Sequence, residues 1–367
     1  VGSISTVREM VSGIVTLPGG IIADHLKRYW GLILALCMAS FGVGWFVVAQ
    51  APSNMFFLVL VGTGIIAAAA SIWHLPAMAS LSHHFSHRRG TALSFHGVGG
   101  SIGDAISPIA TGFLLTYLTW QNILSIYAAV PIFLAFLVYW AFQNIGKSAD
   151  SEAAGDHVTD EGRFAQTMDI LKNPLVLWIT LVGGIRGMAF IALLTFLPFF
   201  FDEVLGMSKF ERSWHFGLLV AVGIVSTPFM GYLSDRFGRK LVIVPGMIFL
   251  GVVVFVISFF DSGSTRDSIA IIVLLALLGT FFYSDQPILT AAALDIVGSG
   301  VATTTLGTLS FARFVLSAMS PIIAGVLYDN YSMDYVFYYV SGLMILGAII
   351  LLLLPLKPPV RSASHRH

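Results

Sequence analysis

Eleven runs of roughly twenty mostly apolar residues, joined by short polar connections, constrain this chain more than any other feature. They lie near 2–23, 31–50, 55–80, 91–118, 122–143, 175–201, 213–234, 241–260, 268–294, 301–328 and 336–356. A run of that length spans the hydrocarbon of a bilayer as an α-helix, which satisfies every backbone polar group internally. The sequence therefore predicts an all-α membrane protein that crosses the bilayer many times.

The surface such a chain can build agrees with this. Hydrophobic residues make up 57% and charged residues only 10%, and the mean hydropathy is +0.88. Soluble domains carry about 25% charged residues, and a water-facing surface needs them. The formal net charge is zero, so no basic field draws nucleic acid. The single cysteine, Cys37, excludes an internal disulfide. The chain begins at Val1 rather than Met, and no secretory signal pattern is visible in it.

One connection is long. Residues 144–173 carry Lys147, Asp150, Glu152, Asp156, Asp160, Glu161 and Arg163 and read as a solvated linker. It divides a first bundle, 1–143, from a second bundle with a short tail, 174–367. Lysine and arginine then set the orientation. One set of alternate loops, with the tail, holds Lys27, Arg28, Arg88, Arg89, Lys147, Arg163, Lys172, Arg236, Arg239, Lys240, Lys357, Arg361 and Arg366; the other holds only Lys209, Arg212 and Arg266. This places the linker and the C-terminus in the cytoplasm of a cell, or inner, membrane protein.

Two internal matches share nearly one offset. Gly20-Ile-Ile-Ala-Asp24-His-Leu-Lys-Arg28 and Gly231-Tyr-Leu-Ser-Asp235-Arg-Phe-Gly-Arg239-Lys240 are 211 positions apart. Ala105-Ile-Ser-Pro108-Ile-Ala-Thr-Gly112 and Ala318-Met-Ser-Pro321-Ile-Ile-Ala-Gly325 are 213 apart. Two matches at one spacing indicate two homologous halves. The second half has six segments and the first five, so the expectation is that one helix precedes Val1.

The Gly-x-x-x-Asp-Arg-x-Gly-Arg-Lys run resembles the loop signature of the major facilitator superfamily of secondary transporters. The copy at Gly231, Asp235, Arg236, Gly238, Arg239 and Lys240 is complete. The copy at Gly20, Asp24 and Arg28 departs from it, with His25 in place of Arg and Lys27 in place of the second Gly. The resemblance covers the whole chain. It implies twelve helices in two six-helix bundles related by a pseudo-two-fold axis, eleven of them visible here, which rock about a central cavity. It also implies that Asp24 and Asp235 act as latches, each meeting a basic partner or a neighbouring helix N-terminus, with Gly20 and Gly231 allowing close helix approach. The plain alternative is that these charges only follow the positive-inside bias.

Six charges fall inside apolar segments: Arg8, Glu9, Asp104, Arg186, Asp285 and Arg313. A charge at mid-bilayer costs at least about 2.5–3.5 kcal/mol on insertion scales, so each needs a partner or a wet cavity. Arg186, Arg313 and Asp104 lie about eleven to thirteen residues into their segments, roughly 16–20 Å deep. Mutual pairing of three arginines with three carboxylates would fix the bundle. The functional reading is that some arginines bind an anionic substrate through the guanidinium fork, while some carboxylates take up protons. In the family resembled, the segments of Arg186, Asp285 and Arg313 border the central cavity, so these three are expected to line it.

Other signals are weaker. His74 and His96 suit a proton relay or a structural hydrogen bond. His83-His84-x-x-His87 lacks a cysteine or acidic companion, which argues against a metal site. Gly97–Gly103 has no preceding strand and no Gly-Lys-Ser/Thr, so it reads as close helix packing rather than a nucleotide loop. Pro108 and Pro321 are expected to kink their helices, with freed carbonyls met by Ser107, Ser320 or neighbours. No cofactor, metal or catalytic cluster is indicated.

The expectation is a monomeric secondary transporter moving a small solute, an organic anion, with protons as coupling ion. Proton-coupled drug or metabolite efflux competes with it, since the glycine-rich fifth family helix partly resembles that of antiporters. A membrane-embedded transferase would need a catalytic cluster at which only the histidine loop hints. A sensor built on a transporter fold would add a soluble domain.

Overall fold

The computed structural model describes residues 2–84, 89–145, 172–260, 269–297 and 302–356. Residues 146–171 of the expected linker, the loop holding Arg88 and His87, and the basic tail lie outside the described residues, as do the side chains of Asp24 and His83. Among the described residues there are twelve α-helices: α1 (Gly2–His25), α2 (Trp30–Ala49), α3 (Phe56–His84), α4 (Arg89–Leu114), α5 (Trp120–Phe142), α6 (Pro174–Phe199), α7 (Lys209–Phe237), α8 (Arg239–Ile257), α9 (Ile269–Phe282), α10 (Asp285–Val297), α11 (Ala302–Asn330) and α12 (Met333–Leu353). They occupy the eleven expected segments. The count differs by one because the segment expected at 268–294 is broken into α9 and α10.

Pro287 explains the break. It is the third residue of α10, has no N–H, and its ring would collide with the carbonyl of Tyr283 four residues earlier in a continuous helix. The chain turns at Tyr283-Ser284, where Ser284 N–H donates to Phe281 O at 2.9 Å. Ile288 N–H then bonds to Ser284 O, opening the new helix.

Among the described residues, eight helical stretches are long and apolar enough to cross a membrane. α1, α4 and α11 are as long, at 24, 26 and 29 residues, but more polar. These three carry four of the six intramembrane charges: Arg8, Glu9, Asp104 and Arg313.

The chain separates into two compact units, Val1–Arg163 with Lys209–Ser213, and Phe164–Ser208 with Trp214–His367. In the first unit α2 packs on α3 and α5, and α3 also on α1 and α4. Gly44 and Gly62 set the α2–α3 approach: a Cβ on Gly44 would stand 2.9 Å from Gly62 O, and one on Gly62 2.8 Å from Gly44 O. Glycine there allows backbone contact that a larger residue would block. In the second unit α6 packs against α10, α11 and α12, and α8 against α9, α10 and α12. Its core is apolar and aromatic, with Phe200, Phe201, Phe282, Phe337 and Met247 fully buried. A π-helical turn, Phe200–Val204, ends α6, and there the Tyr328 hydroxyl donates to Glu203.

Neither expected serine meets a carbonyl freed by proline. Ser107 Oγ bonds to Gly103 O at 2.6 Å, whereas Pro108 frees Asp104 O. Ser320 reaches outward instead, donating to Met188 O on α6 at 2.7 Å and lying 3.0 Å from the Tyr339 hydroxyl on α12. A serine beside the proline has a choice of acceptors, and here the bond that ties three helices together is made.

Candidate functional site

The break between α9 and α10 builds the most polar buried point of the second unit. Asp285 is the first residue of α10, where the helix dipole supports a negative charge. Arg186 comes from the middle of α6. Its Nε donates to Asp285 Oδ1 at 2.8 Å, and its Nη2 stands 2.7 Å from the same oxygen. Nη2 also donates to Phe282 O at 2.9 Å, a carbonyl at the end of α9. One guanidinium thus holds both sides of the interruption. Both residues are buried, Arg186 at 3% and Asp285 at 1% exposure. The arginine takes only one oxygen of the carboxylate. Asp285 Oδ2 is buried with no hydrogen-bond partner among the described residues, and the same holds for Gln286 Oε1 beside it.

Aromatic rings surround the pair. The Arg186 guanidinium lies 4.3 Å from the Phe190 ring centre. Phe190 stacks on Phe282 at 4.5 Å and meets Tyr283 edge-on at 5.6 Å. These rings exclude water, which strengthens the ion pair and raises the cost of breaking it. From α7, Thr227 Oγ1 accepts from Ser284 Oγ at 3.3 Å, so the turn residue is held as well.

Arg313 on α11 joins this neighbourhood through glycine. A Cβ on Gly187, next to Arg186, would stand 2.9 Å from Arg313 Cγ. The Arg313 guanidinium lies 4.4 Å from the Phe314 ring centre. Three of the six charges singled out by sequence, Arg186, Asp285 and Arg313, are therefore grouped in the second unit. The other three lie in the first: Glu9 is buried, and Arg8 and Asp104 are exposed. His74 and His96 face each other edge-on at 5.7 Å, joining α3 to α4. His84 Nδ1 bonds to the Ser80 carbonyl at 2.9 Å, and among the described residues no group of three or more histidine, cysteine or acidic side chains is placed to hold a metal ion.

The loop motif between α7 and α8 forms a compact network. Gly238 has φ 105°, a backbone region that suits glycine. That turn aims Arg239 back over the end of α7, where it pairs with Asp235 and its Nη1 donates to Ser234 Oγ at 2.8 Å. Its Nε reaches Asp295 on α10 at 3.1 Å. Lys240 Nζ donates to Leu354 O at 2.7 Å, just past α12. Arg236 is exposed and lies 5.5 Å from the Phe237 ring centre. Asp295 is the member the sequence reading missed; an acidic residue near the end of a broken span was the available signal. Among the described residues, a Cβ on Gly231 would meet no atom within 4 Å, and the same is true of Gly99, Gly100 and Gly103 on α4. Arg28 is exposed beyond the end of α1, in the corresponding stretch of the first unit.

A bundle of long apolar helices with buried charge at a helix break, and with a basic loop network at the helix ends, describes a membrane transporter. The family model of the Major Facilitator Superfamily matches residues 1–321 and 203–366, and the chain belongs to that superfamily. The glycerol-3-phosphate transporter of Bacillus subtilis is 23% identical over 295 residues, covering 76% of this chain and 66% of the relative. The multidrug resistance protein MdtG of Yersinia enterocolitica is 28% identical over 184 residues, covering 49% of this chain and 42% of the relative. The chain thus spans less than two thirds of either relative's length. An uncharacterised transporter of the same superfamily, YfnC of Bacillus subtilis, is 24% identical over 366 residues, covering 98% of this chain and 85% of the relative. In fold the chain is similar to the crystal structure of a D-xylose–proton symporter, with a TM-score of 0.77 at 13% identity, covering 95% of this chain and 86% of that one. Family and fold point to a transporter rather than an enzyme.

Proposed function

We propose that this protein moves a small organic anion across the membrane together with a proton, by alternating access. The observation that carries the reading is the buried Arg186–Asp285 pair, in which one carboxylate oxygen has no hydrogen-bond partner among the described residues. A substrate carboxylate or phosphate that reaches Arg186 competes for the same guanidinium fork. Once displaced, Asp285 has lost its counter-ion in a dry, aromatic surrounding. The helix dipole offsets only about 0.3–1 kcal/mol of the cost of a lone buried charge, so the carboxylate neutralises by binding a proton. Arrival of the anion and uptake of the proton are thereby one event, and the site's net charge is the same before and after it.

Arg313 supplies a second cation beside Arg186 and suits an anion with more than one charged oxygen. The charges of α1, α4 and α11 on otherwise apolar spans fit helices that border a wet pathway. The similarity to a glycerol-3-phosphate transporter supports an anion, and the similarity to MdtG supports drug efflux as the second reading. The loop network after α7 serves as a conformational latch, and the corresponding turn after α1 is its counterpart, both on the cytoplasmic side by the lysine and arginine bias.

Purified protein in proteoliposomes with an imposed pH gradient tests this. Glycerol 3-phosphate, lactate and succinate are offered as anions and ethidium as a cationic drug. We expect gradient-driven accumulation of an anion. Arg186→Lys should lower it strongly although the charge is kept, because the fork is lost. Asp285→Asn should abolish accumulation yet leave anion exchange. Normal gradient-driven transport in well-folded forms of both variants overturns the proposal; ethidium movement alone favours efflux.

A further inference from the structure

The first unit contains an apolar groove that no transport step above uses. Its volume is about 380 Å³, and α1, α2 and α3 form its walls through Gly19, Leu36, Cys37, Ser40, Ala68 and Ile72 among others. Small side chains from all three helices hollow it out. Along α2 it extends from Ile33 to Ser40, roughly 10 Å at the helical rise. Leu36, on its rim, is 57% exposed, so the groove is open at the side. An exposed leucine on a membrane-spanning helix is suited to contact with acyl chains.

The charge at one end of the groove distinguishes it from an ordinary lipid-facing surface. Ile33 lies one helical turn from the start of α2, and the preceding 3-10 turn, Lys27–Tyr29, carries two cations. Arg28 and Tyr29 there are exposed. Basic residues at a membrane surface attract anionic lipid headgroups, and a tyrosine at that level sits where water gives way to hydrocarbon.

We infer that this groove is a binding site for a phospholipid with an anionic headgroup. One acyl chain lies between α1, α2 and α3, and the phosphate meets Lys27 and Arg28. The apolar walls give affinity for the chain without selecting a headgroup. The two cations select charge, and the length of the groove fixes how far the chain is held. A lipid seated there bridges α1 and α2 at the turn that carries the first copy of the loop motif, so its occupancy would bear on how that turn moves.

Photo-crosslinking of the full chain in detergent micelles tests the site. The probe is phosphatidylglycerol with a diazirine midway along one acyl chain, and adducts are mapped by mass spectrometry. Adducts should concentrate on the groove stretches of α2 and α3, around Leu36 and Ile72. Unlabelled phosphatidylglycerol should compete at an about thirtyfold lower concentration than phosphatidylcholine. Joint replacement Lys27→Gln and Arg28→Gln should erase that difference while groove adducts persist. Ala68→Leu, or Ser40→Leu if the first folds poorly, should remove the groove adducts but leave the sparse ones on α5, whose exposed Phe133, Phe136 and Trp140 report general contact with lipid. Equal competition by the two lipids overturns the inference, and so does labelling spread evenly over α5 and the groove.

Discussion

Replacing Arg186 with Met removes the counter-ion of a carboxylate that is only 1% exposed. Breaking a buried pair from one side costs about 3–5 kcal/mol, because the remaining charge is stranded. Two features of this site modify that figure in opposite variants. Asp285 begins α10, and the helix dipole returns about 0.3–1 kcal/mol to the lone carboxylate. In Asp285→Leu the stranded group is Arg186, which keeps the Phe282 carbonyl and the Phe190 face; a desolvated cation–π contact is worth up to about 2 kcal/mol. We therefore expect Arg186→Met to destabilise by about 2–5 kcal/mol and Asp285→Leu by less. The double variant, which replaces the pair with apolar side chains of similar size, should return to within about 1 kcal/mol of the parent. Thermal unfolding of the four proteins in one detergent closes this cycle, with yield of monodisperse protein as a second readout. Additive losses in the double variant would refute the reasoning, since they would mean that the two side chains do not depend on each other. Single variants as stable as the parent would refute it too, by showing that water reaches the pair.

The loop turn at Gly238 has φ 105° and ψ 141°, so Gly238→Ala should cost about 1–3 kcal/mol and loosen the Arg239 contacts, seen as a lower unfolding temperature. Ser320→Ala should destabilise by about 1–3 kcal/mol in the same assay, because it leaves the Tyr339 hydroxyl and the Met188 carbonyl without their shared partner. Topology is read by cysteine labelling in a Cys37→Ala background, since Cys37 is the one thiol in this sequence. A membrane-impermeant maleimide added to cells should label Ser53→Cys and spare Tyr29→Cys, both at exposed positions; the reverse pattern would invert the assigned orientation.

Helix existence was legible because a bilayer forces it: each apolar run had to become a helix, and all eleven expected segments are helical. The ends shifted by a few residues, as with Lys209–Phe237, where polar flanks extend the helix beyond its apolar stretch. The candidate charges were legible for a related reason. Charge inside hydrocarbon is rare enough that its position alone marks it. What composition could not reveal was pairing, which depends on the rotation of each helix about its axis and on where a helix stops. Arg186 could have met any of three carboxylates, and the choice follows from the interruption at Tyr283-Ser284. That interruption was written in the sequence as Ser284-Asp285-Gln286-Pro287: a serine suited to capping, an acid for the first turn, and a proline tolerated there but not in a helix interior. A hydropathy reading passes over it, because the residues on either side are apolar enough to make one span. The glycines of α4 were less legible. Their spacing suggested tight packing, and among the described residues a Cβ on Gly99, Gly100 or Gly103 would meet no atom within 4 Å. Small residues permit close approach without requiring it, so a glycine stripe specifies a partner only when the partner's own surface fits. A buried charge is more specific than a glycine for this reason: leaving it unpaired has a cost, and that cost is what binds Arg186 to the broken helix.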